Sequence, residues 1–506
     1  MKRVSYPLTG WALTPVHVGD GTIWTPEGYR LAKAGNQDVL QRFDPPSVIS
    51  AMTPAQLTDY MAALNKPNGL KVAQEIMQKA AGTEQVRETI MVSASSLNEL
   101  EQTLSNPLRG GELKPFVRSG GRPFLPGSSL KGVLRTAWLA RAVGLDQALQ
   151  KRIPVDASNA RICKTGKQSD DLQTRALDYA KAKTEQDPLG DLNVGDSDLS
   201  EDPTMIDRVY LTNRTSEGPI GEGKQVQIHV ERLTSIADGS DFRPTAITCA
   251  IAMPDAAGAA QRVALAKDRA VGDKRAIPNN VIHVEALRSA TNTHHAKLWM
   301  MERKTFYEGT RADTLMDDLL KGFGLPISDA TNLAFELDKS GAWLIKIGRY
   351  AHFESKSVEG LRFGEKRGKR GKNGKPDKLA EIMHHSGGSR TLAKRSDSTP
   401  LPFGWIILFD KGRVPANAPA LKAFANVRST ASPPSGAARS FPNSPPPRPT
   451  SVLAGQYRFT KGQKLIDPNS DEIAICDENV AMNATEMWVI FDGERENVKI
   501  TGWRPA

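Results

Sequence analysis

The sequence predicts an α+β protein in which antiparallel sheet packs against helices, and three observations carry that reading. Three strand-like segments follow one another with no helix between them: 206–212, then 225–231 with Val226, Ile228 and Val230 alternating, then 246–253. Next, Val284, Leu287, Thr291, His294, Leu298 and Met301 recur at steps of three and four, the stripe of an amphipathic helix. Strict alternation of strand and helix is missing, which argues against a doubly wound parallel sheet.

Taken in order, the chain opens with a strand over about 8–14. Pro15-Val16-His17-Val18-Gly19-Asp20-Gly21 follows, where Asp-Gly marks a tight turn. Thr53-Pro54-Ala55-Gln56 reads as a helix start, with Thr as N-cap, Pro at the first helical position and Gln three residues after the cap. Two short helices reaching about residue 81 are expected there as an insertion. Farther on, residues 427–450 hold seven prolines and five serines among twenty-four residues, too few of them apolar to repay the entropy of ordering. A flexible linker over 416–450 is therefore expected, followed by a small module, 451–506. In that module Val489-Ile490-Phe491 and Val498-Lys499-Ile500 are split by Asp492-Gly493, the pattern of β structure.

Composition narrows the function classes. With 506 residues, 39% of them apolar and 25% charged, the chain has room for about three domains and can bury real cores. No run approaches the roughly 18 apolar residues of a membrane helix, and the opening lacks the apolar region of a secretory signal. A cytoplasmic protein with no membrane partner is expected. Cys163, Cys249 and Cys476 are widely spaced and odd in number, so neither a disulfide framework nor a Cys-rich zinc site is expected. No cofactor is implied.

The net charge of +10 favours a polyanionic partner, and its distribution sharpens the point. Residues 451–506 carry six basic and nine acidic side chains, a net of −3, so the rest of the chain carries +13. That acidic module is expected to dock another protein. Within the basic body, residues 362–378 hold eight basic and two acidic residues spaced by glycines, among them Lys366, Arg367, Lys369 and Arg370. Glycine-spaced cations suit contact with a nucleic-acid backbone, against the plainer reading of a solvated loop.

The segment from Arg122 to Trp138 (RPFLPGSSLKGVLRTAW) combines an extended lead-in with an abrupt helix start. Pro126 holds its predecessor extended, Gly127 permits the turn, and Ser128 or Ser129 can cap the first free N–H groups. Leu130, Val133, Leu134, Ala137 and Trp138 share one face, while Lys131 and Arg135 share another. Free amides, a positive dipole end and two cations converge at one helix N-terminus, a good seat for phosphate. A capped core helix with solvated Lys and Arg is equally economical. A nucleotide P-loop is disfavoured, because Gly132 is followed by Val133 and not by Lys-Ser/Thr.

PFLPGSSLKGVLRTA resembles the first-helix motif of the RAMP superfamily, the ferredoxin-like RNA-binding subunits of CRISPR effector complexes. LTPVHVGDG resembles that family's first strand and turn, and DPLGDLNVGDSD (187–198) resembles its D-P-F-x-x-L-x-V-x-D-S segment. Residues 347–356 and TPLPFGW (399–405) resemble its glycine-rich loop and closing strand. These motifs occur in the family's order over about residues 7–410, and are most similar to the Csm-type subunit that caps the crRNA 3′ end in type III-A complexes. The long insertions, the basic loop and the module beyond residue 450 depart from that pattern, and leave open another type III variant or extra partners.

The resemblance implies two ferredoxin-like (RRM-like) RAMP domains, 1–255 and a degenerate 256–415, forming a platform that holds RNA backbone. It further implies a non-catalytic subunit of an antiviral effector. The implied partners are crRNA, target RNA indirectly, and neighbouring RAMP backbone and small subunits. Gly127, Ser128, Ser129, Lys131 and Arg135 would hold phosphates in the first half. Gly348, Arg349, His352 and Lys356 would form the matching loop in the second.

Two enzymatic readings compete. Asp196 and Asp198, two apart in an extended segment, face one side and with Asp191 nearby could share a divalent metal for phosphodiester hydrolysis. The plainer reading is an acid-rich loop that caps turns. His17 is the best-placed histidine for metal-free cleavage by a 2′-hydroxyl, as in some RAMP relatives, against a structural hydrogen bond to the turn at Asp20-Gly21. His294 on the helical stripe reads as a core histidine, and His384-His385 lack further ligands at metal spacing. The expectation is therefore an RNA-binding protein without catalysis or metal, with an RNA-cleaving RAMP as the alternative.

Overall fold

A computed structural model describes residues 3–67, 69–105, 111–145, 173, 176–177, 187–215, 218–221, 228–239, 242–255, 282–359 and 387–416, with short strand segments between 457 and 505. The chain forms two compact units, Met1–Thr430 and Ala431–Ala506. The Pro/Ser-rich stretch 427–450, the basic run 362–378 with Lys366, Arg367, Lys369 and Arg370, His384, His385 and Cys163 lie outside the described residues.

The first unit begins with β1 (Arg3–Ala12), β2 (Tyr29–Ala34), β3 (Gln37–Phe43), α1 (Pro45–Ala51), α2 (Pro54–Leu64) and α3 (Leu70–Ala80). There follow β4 (Val86–Val92), α4 (Ala94–Ser105), β5 (Leu113–Lys114), β6 (Arg118–Ser119), β7 (Arg122–Pro123) and α5 (Gly127–Leu145). Then come β8 (Asn193–Val194), β9 (Asp198–Leu199), β10 (Thr204–Thr215), β11 (Gly218–Gly221), β12 (Ile228–Leu233) and β13 (Ala246–Pro254). The last are α6 (Val284–Glu302), α7 (Arg311–Lys321), α8 (Ala330–Ser340), β14 (Ala342–Lys346), β15 (Ser389–Lys394), β16 (Pro400–Pro402) and β17 (Trp405–Asp410).

The α+β expectation holds. One sheet, wholly antiparallel, has the order β14-β17-β1-β13-β8, with β9 also on β13. Along the chain this sheet and the helices against it come in the order β1, α5, β8/β9, β13, α6, β14 and β17, with other elements between them. The second sheet, β16-β15-β10-β4-β3-β2 with β11, β12 and β5 joined through β10 and β12, is mixed. Both sheets take strands from either side of the boundary expected at 255/256.

The first sheet is buried on both faces, and side-chain alternation divides its residues between two cores. Ile406 and Leu408 of β17, with Trp343 and Ile345 of β14, join Leu130, Val133, Leu134 and Trp138 of α5. Trp405, Ile407 and Phe409 point the other way, toward Trp299 of α6, Met316 of α7 and Leu333 of α8. Each fully buried side chain of this size stabilises by about 1.5–3 kcal/mol relative to exposure. Trp11 and Trp138, 2% and 3% exposed, are core residues, so neither is offered to a ligand. Among the described residues no helix is long and apolar enough to cross a membrane.

The insertion keeps its predicted start: Thr53 Oγ1 accepts the Gln56 N–H (3.3 Å) and Gln56 Oε1 accepts the Thr53 N–H (2.9 Å). The two helices expected after that start are α2 and α3, and Pro45-Pro46 opens a further helix, α1, ahead of it after Asp44. In the second unit β18 (Tyr457–Phe459), β19 (Lys464–Ile466), β20 (Ile473–Cys476), β21 (Val480–Ala481), β22 (Glu486–Phe491), β23 (Glu494–Lys499) and β24 (Arg504–Pro505) are described. They form a five-stranded sheet, β23-β22-β20-β19-β24, beside a β18-β21 pair.

Candidate nucleic-acid interface

Segments far apart in sequence meet where β14 ends. The Pro15 carbonyl accepts the Gly404 N–H (2.7 Å), the Gly404 carbonyl accepts the Ile347 N–H (2.7 Å), and the His17 carbonyl accepts the Arg349 N–H (2.8 Å). The motifs around His17, Arg349 and Gly404 are therefore one locally bonded structure. Gly348 has φ +100°, and an added Cβ would lie 2.6 Å from the His17 carbonyl oxygen. Only glycine fits, and the space it leaves is taken by the protein's own backbone.

Cations gather around this junction. Arg349 and Lys356 are exposed and Lys114 is half-buried. Burial and then the neighbouring Arg349 charge lower the pKa of both Lys114 and Lys356, so Arg349 lies close enough to each lysine to repel it. Arg349 and Lys356 form no ion pair among the described residues. Glu112 partly offsets the charge on Lys114, whereas Arg349 and Lys356 are like charges with no ion pair among the described residues, a cost that an anionic ligand would relieve. Lys114 carried no sequence signal, because only the pairing of β5 with β12 brings it here.

His17 lies inside this group and is 1% exposed. Its Nδ1 bonds to the Glu231 carbonyl (2.7 Å) and not to the turn at Asp20-Gly21. Its ring stacks on Tyr350 with centroids 5.6 Å apart. Burial lowers its pKa to about 4, so it is neutral at pH 7. A sealed, neutral ring is a packing element, which corrects the picture of His17 as an accessible base. The Asp20 turn is present all the same, with the Thr22 N–H donated to Asp20 Oδ1 at 2.8 Å.

The inner side of the same loop is held by buried charge. Lys346 and Arg390 both pair with Glu302, Arg390 also bonds Glu354 (3.0 Å), and Trp405 Nε1 donates to Glu302 (2.9 Å). All four charged groups are at most 3% exposed. His352, expected to face RNA, is instead half-buried. Its Nε2 accepts the Thr391 N–H at 3.4 Å, and burial followed by Lys346 and Arg390 pulls its pKa far down. It has φ +62° and ψ 167°, a conformation that disfavours any residue with a Cβ.

The tip of α5 differs from expectation in one respect. The helix starts at Gly127, whose N–H donates to Asp196 Oδ1 at 2.7 Å, and the Pro126 carbonyl accepts the Ser129 and Leu130 N–H groups. Asp196 thus acts as the cap from another segment and takes the place a phosphate would hold at that amide. Ser197 reinforces the clamp: its Oγ accepts the Leu125 N–H (2.8 Å), and its own N–H donates to the Leu125 carbonyl (3.0 Å). An added Cβ on Gly127 would come 2.1 Å from the Val194 carbonyl oxygen, so its glycine serves this docking.

Ser128 stays exposed and Lys131 half-buried, neither with a hydrogen-bond or ion-pair partner among the described residues. Arg135 is withdrawn from the set, since its guanidinium bonds Asp187 (2.6 Å) and Gln173 (3.1 Å). The turn Phe353–Lys356 packs against α5, which brings the first-helix and glycine-loop motifs into one region.

Asp198 is exposed on β9. With Asp196 it lines a cleft of about 870 Å³ that also takes Glu201, Arg87, Arg118 and Arg122. Among the described residues no group of three or more His, Cys, Asp or Glu is arranged to hold a metal ion. Arg118 is engaged with buried Glu231, so the cleft is not a free basic groove.

The RAMP superfamily model matches residues 12–164. A chain of the Csm-crRNA-target RNA ternary complex from a type III-A CRISPR-Cas system, solved by cryo-EM, is 16% identical, covering 80% of this chain and 100% of that one at a TM-score of 0.49. T. onnurineus Csm5 is 17% identical, covering 79% and 99%, at a TM-score of 0.44. No curated protein matches the chain. The family model thus finds independently the part of the resemblance that lies in residues 12–164, the stretch holding the first-strand motif and α5.

Proposed function

We propose that this chain is an RNA-binding RAMP subunit of a type III CRISPR effector complex, holding guide RNA by its sugar-phosphate backbone near the 3′ end and capping the subunit filament in antiviral defence. The observation that carries the reading is the group of Lys114, Arg349 and Lys356, two of them exposed and unpaired among the described residues, at the point where the family's separate motifs join. Single-stranded RNA is held largely through such phosphate contacts. Ser128, Ser129 and Lys131 extend the surface along α5. In this reading the elements after α6 form a second, degenerate ferredoxin-like half joined to the first through β17. Target RNA is reached through the guide, adjacent RAMP and small subunits are the protein partners, and the acidic C-terminal unit docks a further protein.

The reading places RNA cleavage outside this chain. His17 is buried and neutral, and Asp196 is spent on capping α5. Binding of labelled single-stranded RNA across a salt series tests the proposal. Affinity should fall steeply with salt, and Arg349→Ala should reduce the log–log slope by about 0.7, the value for one phosphate on a single strand. Arg135→Ala should leave the slope alone. Equal slopes for Arg349→Ala and the unaltered chain would count against the interface, and RNA fragments appearing with or without Mg²⁺ would transfer the chain to the endoribonuclease reading.

A further inference from the structure

The turn Phe353–Lys356 holds a residue that backbone binding alone does not use. It is a 3₁₀ turn, in which side chains three apart eclipse, and exposure follows that geometry. Phe353 and Lys356 are exposed together, while Glu354 (2%) and Ser355 (1%) are buried beneath them. Phe353 keeps 38% of its surface in solvent. Exposure alone does not single the ring out, since Phe335 is more exposed, but the backbone that carries Phe353 is anchored from beneath.

The anchors are specific. Glu354 Oε1 accepts the Gly387 N–H (2.7 Å) and pairs with Arg390 (3.0 Å), and Ser355 Oγ donates to the His352 carbonyl (3.0 Å). His352, immediately before the ring, sits in its unfavourable positive-φ conformation. Gly387 borders the ring where an added Cβ would come 3.3 Å from Cε1, so no side chain from that residue covers the edge. Buried ion pairs and a strained residue thus present a phenyl ring on the same side as Lys356, whose charge the neighbouring Arg349 repels.

We propose that Phe353 is a stacking platform for one base of a single-stranded RNA whose adjoining phosphate is taken by Lys356 and Arg349. The inference rests on the RNA-binding reading above. Every base has a π face, so a phenyl ring beside cations sets the position of one nucleotide without reading its identity. An RNA strand suits the site better than a protein partner, because the ring's exposed companion on this turn is a cation, Lys356, with no ion pair among the described residues.

The test is equilibrium binding of a short mixed-sequence RNA, and of the same RNA with abasic sites, to the full chain and to Phe353→Ala and Phe353→Trp. Phe353→Ala should weaken binding of intact RNA roughly five-fold or more with the salt slope unchanged. Phe353→Trp should retain affinity, and abasic RNA should bind the unaltered chain and Phe353→Ala alike. Equal affinity of Phe353→Ala and the unaltered chain for intact RNA overturns the platform while leaving salt-dependent RNA binding in place. An equal loss on abasic RNA also overturns it, since stacking would not be the cause. Failure of the unaltered chain to bind any RNA overturns both this inference and the reading beneath it.

Discussion

Lys346 and Lys356 belong to one stretch of chain and share little beyond residue type. Lys346 is 3% exposed and pairs with Glu302, which also holds Arg390 and accepts the Trp405 indole N–H. Lys356 is exposed, unpaired among the described residues, and repelled by Arg349. Taking a cation out of water is costly unless a carboxylate and further hydrogen bonds replace the lost hydration, and the inner side supplies both. The outer side supplies neither. Inner charge therefore shapes the loop, and outer charge stays exposed to solvent. Arg135 makes the same point against Arg349: a sequence motif nominates both, and Asp187 removes one of them.

The contrast can be broken most forcefully from the inside. Glu302→Ala leaves Lys346 and Arg390 buried without their carboxylate and should cost about 3–5 kcal/mol, read as a lower urea midpoint. A loss below about 1 kcal/mol would mean that the inner charges are not the anchor of the loop.

A smaller effect comes from pH. Burial holds the folded pKa of His17 at about 4, below its ordinary 6.5, so between these values the unfolded chain binds the extra proton. The stability from burying neutral His17 is present above pH 6.5 and is lost as pH falls toward 4, by about 3 kcal/mol at most. The pH dependence of the urea midpoint should flatten in this window in His17→Gln, and an unchanged profile would contradict neutral burial.

Smallest of all should be the stability change in Lys356→Ala, within about 0.5 kcal/mol, because an exposed cation repelled by its neighbour stabilises nothing. A large loss of stability there would make Lys356 a structural residue and erase the difference between the two sides.

Much of the local architecture was legible in the sequence. The capping box at Thr53, the helix from Val284 and the strands around residues 206 and 246 were readable because caps and periodicity are short-range signals. Gly127 reads from the sequence as permitting a turn and Gly348 as part of a loop on RNA, whereas the structure has each glycine closely approached by protein backbone. The helix tip was misread in part because its cap, Asp196, arrives from a segment 69 residues away. His352 looked like a ligand from its place in a motif, whereas Thr391, Lys346 and Arg390 decide its state.

By itself the sequence determined the α+β class, the main helices and strands, the basic character of the body and the motifs that resemble the RAMP superfamily, since each depends on residue type and spacing along the chain. Only the tertiary structure decided which charges are spent and which remain. Arg135, Asp196 and His17 are satisfied by partners from distant segments, while Arg349, Lys356 and Phe353 are turned outward by a buried Glu302–Lys346–Arg390–Glu354 network. Pairing and burial belong to residues that meet in space, and spacing along a chain does not record which ones will meet.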